Sequence, residues 1–370
     1  MKQGLKNASA SLIAILAGLI AGFAILLVTK PETAFQGLII ILRGGFNNGM
    51  KGLGQVLYLA TPLIMTGLSV GFAFRTGLFN IGAPGQLMVG GAVSVWVGIT
   101  WTFLPGALHW VGGLLMGMLA GGLWGAVPGL FKARFNVNEV ISSIMMNYIG
   151  MYGINFLIRG SAIFDSTKNQ TKNVLPSGVI PKGGLDKIFY NLTGKYVDVS
   201  SVNAGILIAI ALAVVMYVLL NKTTFGYELR ACGFNKSAAR YAGISEKRTI
   251  VLSMVLAGAL AGTAGALMYL APSSGMHIHV EEVLSAQGFN GIPVALLGLS
   301  NPIGIIFSAL FVAYISVGGS YLQSLKFMQE VIDIIIAMVI YFSAFSLLVR
   351  DLIGRVTKKR AQRQEEREGT

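Results

Sequence analysis

Residues 77–91 read GLFNIGAPGQLMVGG, a stretch that is unusual for a simple membrane helix. It is rich in glycine and contains Pro84, and both residue types weaken or end helices. It also places two amides, Asn80 and Gln86, among apolar residues. A buried amide costs free energy unless it finds a hydrogen-bond partner. The stretch therefore predicts a broken helix whose amides either tie helices together or line a polar path.

The composition of the whole chain is that of a membrane protein. Of its 370 residues, 54% are hydrophobic and 12% are charged, whereas soluble domains carry about 25% charged residues. The mean hydropathy is +0.70. A bilayer core requires about 20 apolar residues of helix. The runs that meet or approach this length are 8–28, 53–74, 86–103, 107–131, 140–158, 203–220, 250–271 and 331–349. The fold class predicted is an all-α polytopic membrane protein.

One further apolar segment, 287–319, is interrupted at Asn301-Pro302. It adds either two crossings or a re-entrant hairpin, so we expect about ten transmembrane helices, or eight and a hairpin. These form a permease-like domain over 1–350, with an outside loop at 159–200 and a basic tail at 351–370.

The distribution of basic residues predicts the orientation. With the N-terminus inside, eighteen of the 28 Lys and Arg residues fall inside, mostly in 222–248 and 350–367. Both termini are then cytoplasmic. The net charge of +13 follows from this topology and does not indicate a nucleic-acid partner. The tail either contacts anionic lipid or stays solvated.

Motifs for catalysis or for metal binding are missing from the sequence. There is no phosphate-binding loop of the G-x-x-x-x-G-K-[ST] type and no H-E-x-x-H. Cys232 is the only cysteine, which excludes an internal disulfide and a thiolate cluster. His277 and His279 alternate beside two glutamates, but no third ligand is specified, so no metal is expected. The sequence predicts a protein that is not an enzyme and has no cofactor of its own.

The acidic residues of the apolar segments lie near their ends. Glu139 follows Asn138 at the start of one span, where a helix N-terminus favours an acid, and Glu330 and Asp333 begin the last span. A proton-driven carrier would want acids near the membrane midplane. What remains inside is neutral polarity, which suits a polar, uncharged solute.

A second stretch, 288–293, repeats the features of 77–84. Both carry glycine, Phe-Asn, glycine and proline before an apolar run, and the two begin at opposite faces of the membrane. This pattern predicts an inverted repeat whose broken helices meet near the midplane. The apolar piece 289–300 would extend only about 18 Å and reads as a half-helix. The residues predicted to line the transport path are Phe79, Asn80, Gly82, Gly85, Gln86, Asn147, Phe289 and Asn290.

The cytoplasmic segment 222–249 is too polar to span a membrane. It is rich in alanine, with basic residues between the alanines and a glycine at Gly243. We expect short amphipathic helices against the inner face, whose small residues suit docking on a partner. An ordinary positively charged inside loop is the alternative.

Four stretches carry a family resemblance: 77–91, ELRACGFNKSAARYAGIS (228–245), LAGALAGTAGALM (256–268) and GLSNPIGIIFSAL (298–310). In this order, and over about 50–350, the chain resembles the permease subunit of bacterial ABC importers for branched-chain amino acids, simple sugars and nucleosides. The Phe-Asn-Ile-Gly-x-x-Gly-Gln form and NEVISSIMMNYIG at 138–150 are most similar to the nucleoside-type permeases.

The resemblance implies a bacterial inner-membrane importer with several partners. These are two ATP-binding subunits, which bind the ATP, a second permease subunit of paralogous sequence, and a solute-binding lipoprotein. It also implies that 222–249 couples to the ATPase, through Arg230, Gly233, Asn235, Ala239 and Gly243. The segment departs from the familiar Glu-Ala-Ala run of such permeases, having Arg230-Ala-Cys-Gly233 instead. A sugar or branched-chain amino acid permease, or a stand-alone carrier, stays open as an alternative to the nucleoside importer.

Overall fold

The computed structural model describes residues 2–193, 195–272 and 276–344, and the tail predicted at 351–370 lies outside them. Long helices dominate the described part of the chain. They are α1 (Lys2–Thr29), α2 (Pro31–Arg43), α3 (Gly49–Arg75), α4 (Ala83–Thr100), α5 (Gly106–Phe135), α6 (Glu139–Arg159), α7 (Gly205–Lys222), α8 (Thr224–Phe234), α9 (Lys236–Tyr241), α10 (Glu246–Tyr269), α11 (Ala286–Leu297), α12 (Pro302–Ser320) and α13 (Gln329–Ala344).

The helices confirm the prediction of a helical, multi-pass membrane protein. Among the described residues, six helical stretches are long and apolar enough to cross a membrane. They are Pro31–Arg75, Leu108–Phe135, Glu139–Arg159, Gly205–Lys222, Glu246–Tyr269 and Pro302–Leu325. The count of about ten spans stays a prediction. The predicted interruption at Asn301-Pro302 is confirmed, because α11 ends at Leu297 and α12 begins at Pro302.

One helix was missed by the sequence analysis. Residues 30–51 fall between the predicted apolar runs 8–28 and 53–74, but α2 and a short 3-10 helix (Gly44–Asn48) occupy most of this segment. Pro31 stands at the first turn of α2, where its fixed φ and missing N–H are tolerated. The apolar part of this segment is shorter than a span, which is why hydropathy alone did not reveal it.

The predicted outside loop at 159–200 also contains two small sheets, so the chain is not wholly α. β1 (Phe164–Asp165) pairs with β2 (Gln170–Thr171), and β3 (Tyr190–Thr193) pairs with β4 (Tyr196–Val199), both antiparallel. Strands this short give no periodic signal that a sequence could reveal.

Contacts divide the chain into two compact units, 48–313 and the combination of 1–47 with 314–370. In the second of these, α1 packs on α13 at Gly18, where an added methyl group would lie 2.8 Å from the carbonyl oxygen of Val339. Every feature considered below belongs to the unit 48–313.

Glycines bring α4, α5 and α10 into backbone contact. A methyl group on Gly90 would lie 2.4 Å from the Cα of Gly262, and one on Gly121 would lie 2.4 Å from the carbonyl oxygen of Gly258. The small residues of α10 recur four apart, at Gly258 and Gly262. Such spacing lets membrane helices approach closely enough for van der Waals packing to hold them.

The unit 48–313 has two distinct ends. At one end, called here the α8 end, Lys132 pairs with Glu139 at 3.0 Å, and α8 contacts the end of α3 at Arg75. At the other, called the hairpin end, Lys51 of α3 pairs with Asp198 of β4 at 2.7 Å. The segments assigned to opposite sides of the membrane therefore lie at opposite ends of the helices.

The predicted outside loop at 159–200 also pairs with residues 276–280, which lie between α10 and α11. The N–H of Thr171 donates to the carbonyl of Ile278 (2.9 Å), and the N–H of Val280 donates to that of Asn169 (2.9 Å). Gln170 and His279 form an isolated antiparallel bridge between the two segments. Asn155 of α6 donates to the carbonyl of Glu281 at 2.8 Å, which fixes this pair of loops to the helices.

Candidate functional site

The site starts where α3 ends in a Schellman turn. Gly77 has φ +73°, a value that glycine adopts without strain. The N–H of Leu78 donates to the carbonyl of Ala73 (3.0 Å) and that of Gly77 donates to Phe74 (3.1 Å). Leu78 and Ala73 share one apolar cluster, the contact that accompanies this motif. The chain then turns back along α3.

Two amides are joined directly after this turn. The amide nitrogen of Asn80 donates to Oγ of Ser69 (2.9 Å) and to Oε1 of Gln86 (2.8 Å). Gln86 donates in return to Oδ1 of Asn80 (3.1 Å), which also accepts the N–H of Gly82 (3.2 Å). Gly82 stands at the N-cap of α4. The amide pair thus fixes the start of α4 against the middle of α3.

A third amide fixes the start of α4 against α6. Asn147 accepts the N–H of Gly85 (2.9 Å) and donates to the carbonyl of Ile81 (3.0 Å). A methyl group on Gly85 would lie 2.7 Å from the Cα of Asn147, so a larger residue at 85 would separate the two helices.

The three amides are buried and bonded to protein. Asn80, Gln86 and Asn147 are each 2% exposed or less. This is the geometry expected of amides that tie helices together, and their predicted role in the transport path stays a prediction. Beside them, Oγ of Ser143 is buried without a hydrogen-bond partner among the described residues.

The second stretch lies directly against the first. A methyl group on Gly288 would lie 2.4 Å from the Cα of Pro84, so the first turns of α11 and α4 are in contact. Gly291 packs in the same way on Thr66 of α3. Thr66 lies nine residues before the end of this helix, about 14 Å along its axis. The two broken helices therefore begin side by side within the depth of the unit.

The start of α11 is more open than that of α4. Phe289 is 38% exposed, and Asn290 is partly exposed, with a side chain that forms no hydrogen bond in the described structure. Pro293 lies inside α11, and because proline has no N–H, the carbonyl of Phe289 lacks its partner within the helix. This turn presents an aromatic ring and an amide beside a carbonyl that has no i+4 partner in the helix.

Another aromatic residue of the predicted path lies close to this turn. Phe79 is partly buried and stacks on Phe74, with ring centroids 5.1 Å apart. Both rings and Ile292 of α11 pack on one small apolar cluster. The segment after α3 and the start of α11 thus share one wall.

The predicted coupling segment forms two short helices, as expected. Of its predicted contact residues, Ala239 is buried, Arg230 and Gly233 are partly buried, and Asn235 and Gly243 are exposed. Gly233 packs on the end of α3, and Ala239 is 4% exposed. Asn235 caps α9, accepting the N–H of Ala238 at 3.0 Å. Arg230 donates to the carbonyl of Gly226 at 3.4 Å, and Gly243 has φ +82°.

Three aromatic side chains on this segment are exposed, and they were not among the residues predicted from the sequence. Phe234 is 92% and Tyr241 is 94% exposed. Tyr227 is exposed as well. Large aromatic residues in a polar loop were the available signal, since such residues are enriched where proteins bind partners. Cys232, in contrast, is buried, and burial raises the pKa of its thiol above the ordinary 9.0.

The histidine pair lies on the extended segment at the hairpin end. Nε2 of His277 and Nε2 of His279 are 3.3 Å apart, and no group of three or more potential metal ligands occurs in the described residues. Burial, together with His279 and Lys168, lowers the pKa of His277. That the protein binds no metal stays a prediction.

An apolar cavity of about 430 Å³ lies between α4, α5 and α6. Its lining includes Val89, Trp96 and Ile149, and Ser161 is the only hydroxyl-bearing residue there. It therefore offers little to a polar solute, and the start of α11 is the better candidate site.

Comparison with known proteins identifies a family. Residues 52–344 match the model of the family described as "Branched-chain amino acid transport system / permease component". The matched region includes α4, α8, α9 and α11.

The similar proteins include permeases for nucleosides. The guanosine ABC transporter permease protein NupP of Bacillus subtilis is 38% identical over 98% of this chain and all of its own length. The nucleoside ABC transporter permease protein NupB of Lactococcus lactis is 33% identical over 97% of the chain and 96% of its own length. A second Bacillus subtilis guanosine permease protein, NupQ, is 28% identical over 82% of the chain and 92% of its own length. No solved structure matches the chain.

Proposed function

The chain belongs to the family of permease components of branched-chain amino acid transport systems, and we propose that it is the permease subunit of an ATP-driven importer for nucleosides. The observation that carries the proposal is the end-to-end similarity to permeases named for guanosine and nucleosides. The geometry agrees with it, because a charge-poor membrane unit holds two broken helices that begin side by side.

We place the solute at the open start of α11. The ring of Phe289 and the nearby Phe79 offer apolar faces for a nucleobase, and stacking of a base on an aromatic side chain is worth about 1–3 kcal/mol. The amide of Asn290 and the free carbonyl of Phe289 supply a donor and acceptors for the polar edge of the base. Ser143 offers a further hydroxyl behind the amides.

The two broken helices are proposed to belong to an inverted repeat. α4 runs from the contact at Pro84 toward the hairpin end, where the carbonyl of Gly98 accepts the N–H of Leu175 at 3.0 Å. α11 runs from the same contact toward the α8 end, where Arg75 donates to Ser300. Opposite directions from a shared centre are the arrangement that inverted repeats produce. Each of the two repeats then contributes one half of the path.

The partners follow from the family and from the surface. A second permease subunit is supported by the two guanosine permease proteins of one organism, NupP and NupQ, both similar to this chain. Two ATP-binding subunits and a solute-binding lipoprotein complete the proposed assembly. The α8 end is proposed to face the cytoplasm and the hairpin end the outside, with both termini inside and the chain in the bacterial inner membrane.

We propose that the exposed aromatic residues Phe234 and Tyr241 contact the ATPase, with Tyr227 at the edge of this contact surface. In this proposal the aromatic side chains, and not the small residues predicted from the sequence, anchor the segment to the ATPase. Gly233 and Ala239 are instead proposed to hold the two short helices against the rest of the chain.

Uptake by cells tests the function directly. Cells lacking their own nucleoside import should accumulate labelled guanosine when this chain is expressed with its partner permease, ATPase and lipoprotein. The same cells holding only this chain should not. The control is a complex whose ATPase subunit carries an inactivated ATP site. Accumulation by the chain alone would refute the importer and support the stand-alone carrier, although no Asp or Glu is buried among the described residues.

A further inference from the structure

The turn between α11 and α12 is built in an unusual conformation. Leu299 and Ser300 both have positive φ, +55° and +51°, in the left-handed region that residues with a Cβ occupy at a cost. The N–H of Leu299 donates to the carbonyl of Leu296 at 3.0 Å, and the N–H of Ser300 donates to that of Ala295 at 2.8 Å. Such a conformation persists only where the surroundings hold it.

Arg75 supplies part of this support. Its Nε donates to the carbonyl of Ser300 at 2.9 Å, and its Nη2 donates to that of Leu299 at 3.3 Å. Both carbonyls lie just past the C-terminus of α11, where helix carbonyls lack partners and a cation is favoured. The planar fork of arginine holds two acceptors in a fixed geometry, whereas the donors of a lysine ammonium are not fixed in one plane.

The backbone of Arg75 also packs closely against α8. A methyl group on Gly233 would lie 2.5 Å from the carbonyl oxygen of Arg75, and one on Gly77 would lie 3.0 Å from the Cα of Gly233. Packing this close leaves α8 no room to slide without moving the end of α3. Arg75 therefore contacts the predicted coupling segment with its backbone and the end of α11 with its side chain.

The other end of α11 is the candidate solute site. α11 has twelve residues and is about 18 Å long, so a displacement of its last turn is carried to Gly288 and Asn290 at its first. These contacts form a continuous path from α8 through Arg75 to the site.

We propose that Arg75 is a positioning residue that couples α8 to α11, so that movement of the ATPase-docking segment changes the start of α11. The inference rests on the proposed importer function. The role of Arg75 is distinct from solute binding, because it lies at the far end of α11. It is also distinct from docking, because both hydrogen bonds of this exposed side chain go to carbonyls of the same chain.

The test uses the complete importer reconstituted in liposomes, with ATP hydrolysis and guanosine uptake measured on the same sample. Arg75→Ala should keep its ATPase subunits and its basal hydrolysis, while the amount of guanosine moved per ATP falls about tenfold, within the range of ordinary coupling between sites. Arg75→Lys should fall between this variant and the wild type. Arg134→Ala removes a cation from the last turn of α5 at the same end of the unit and is the matched control.

The outcomes separate the possible failures. An unchanged ratio in Arg75→Ala would overturn the coupling role. A loss of ATPase subunits and of uptake together, with Arg75→Lys no better than Arg75→Ala, would also overturn it, because Arg75 would then serve only to hold the fold. A wild-type complex without guanosine uptake would contradict the proposed function itself and leave nothing for Arg75 to couple.

Discussion

Asn80, Asn147 and Asn290 differ in the number of hydrogen bonds that their side-chain amides make, and this difference predicts a ranking of stability. Asn80 takes part in four, with Ser69, Gln86 twice and Gly82. Asn147 takes part in two, and Asn290 takes part in none in the described structure. Polar bonds between membrane helices average about 0.6 kcal/mol each. Replacement by leucine should therefore lower the free energy of unfolding by about 2.4 kcal/mol at Asn80 and about 1.2 kcal/mol at Asn147.

The Asn80 value is a lower limit, because leucine would leave the amide of Gln86 and the hydroxyl of Ser69 buried without partners, a further cost. Asn290→Leu should leave stability unchanged within about 0.6 kcal/mol. The assay is reversible unfolding in mixed micelles as the denaturing detergent is increased. Each variant is also reconstituted with its partners, and guanosine uptake is measured.

Uptake should rank the variants differently. Asn290→Leu should lose transport while it stays fully stable, and Asn290→Gln, which keeps the amide, should recover part of it. Cysteine at 290 should react with small water-soluble thiol reagents and be protected by guanosine, whereas cysteine at 80 should not react. Equal destabilisation by the Asn80 and Asn290 variants, or full uptake by Asn290→Leu, would refute this reasoning.

Further predictions concern other parts of the chain. Gly288→Ala should lower both stability and uptake because its methyl group meets Pro84, whereas Gly153→Ala, at a position with nothing within 4 Å of an added Cβ, should change neither; equal effects would contradict the proposed contact of α4 and α11. Phe234→Ala with Tyr241→Ala should reduce co-purification of the ATPase without changing the unfolding free energy, and undiminished co-purification would exclude these anchors. Because burial raises the pKa of Cys232, its alkylation should stay slow at neutral pH and increase only above about pH 9, and rapid alkylation at pH 7 would contradict the packing of α8. Since the pKa of His277 is lowered in the fold, the stability contributed by the pairing of residues 169–174 with 276–280 should fall as pH drops below about 6.5, visible as faster hydrogen exchange at Ile278 and not at Ala257.

Local signals in the sequence predicted the local structure well. The residues Asn138 and Glu139 predicted the start of α6, and Asn138 indeed accepts the N–H of Val140 at 2.8 Å. The composition of 222–249 predicted short helices at one end of the unit. In both places the signal and its result lie within a few residues of each other, so no distant contact was needed to interpret them.

Contacts between distant residues were beyond the sequence. Asn80 and Gln86 are six apart and were expected together, but whether they face each other or a path depends on Ser69 and on the depth at which α4 begins. Gly233 was chosen for docking because it is small. Whether it docks on a partner stays a prediction, but it also makes an internal contact with Arg75, 158 positions earlier in the sequence, which no local pattern could indicate.

The two matching stretches have a similar composition but differ in how their backbone groups are satisfied. At the start of α4, Pro84 has no N–H, Gly85 donates to Asn147, and Gln86 donates to the carbonyl of Gly82 at 3.0 Å. The start of α11 has no side-chain cap from Ser285, and its amide at Asn290 is free. Helix N-termini with unpaired N–H groups attract polar groups of a ligand. If both stretches lined the path equally, both should be open. We therefore expect α4, which its amides tie to the neighbouring helices, to form the fixed wall of the path. We expect α11, whose C-terminal end is held by Arg75, to be the side that responds to solute and to the ATPase.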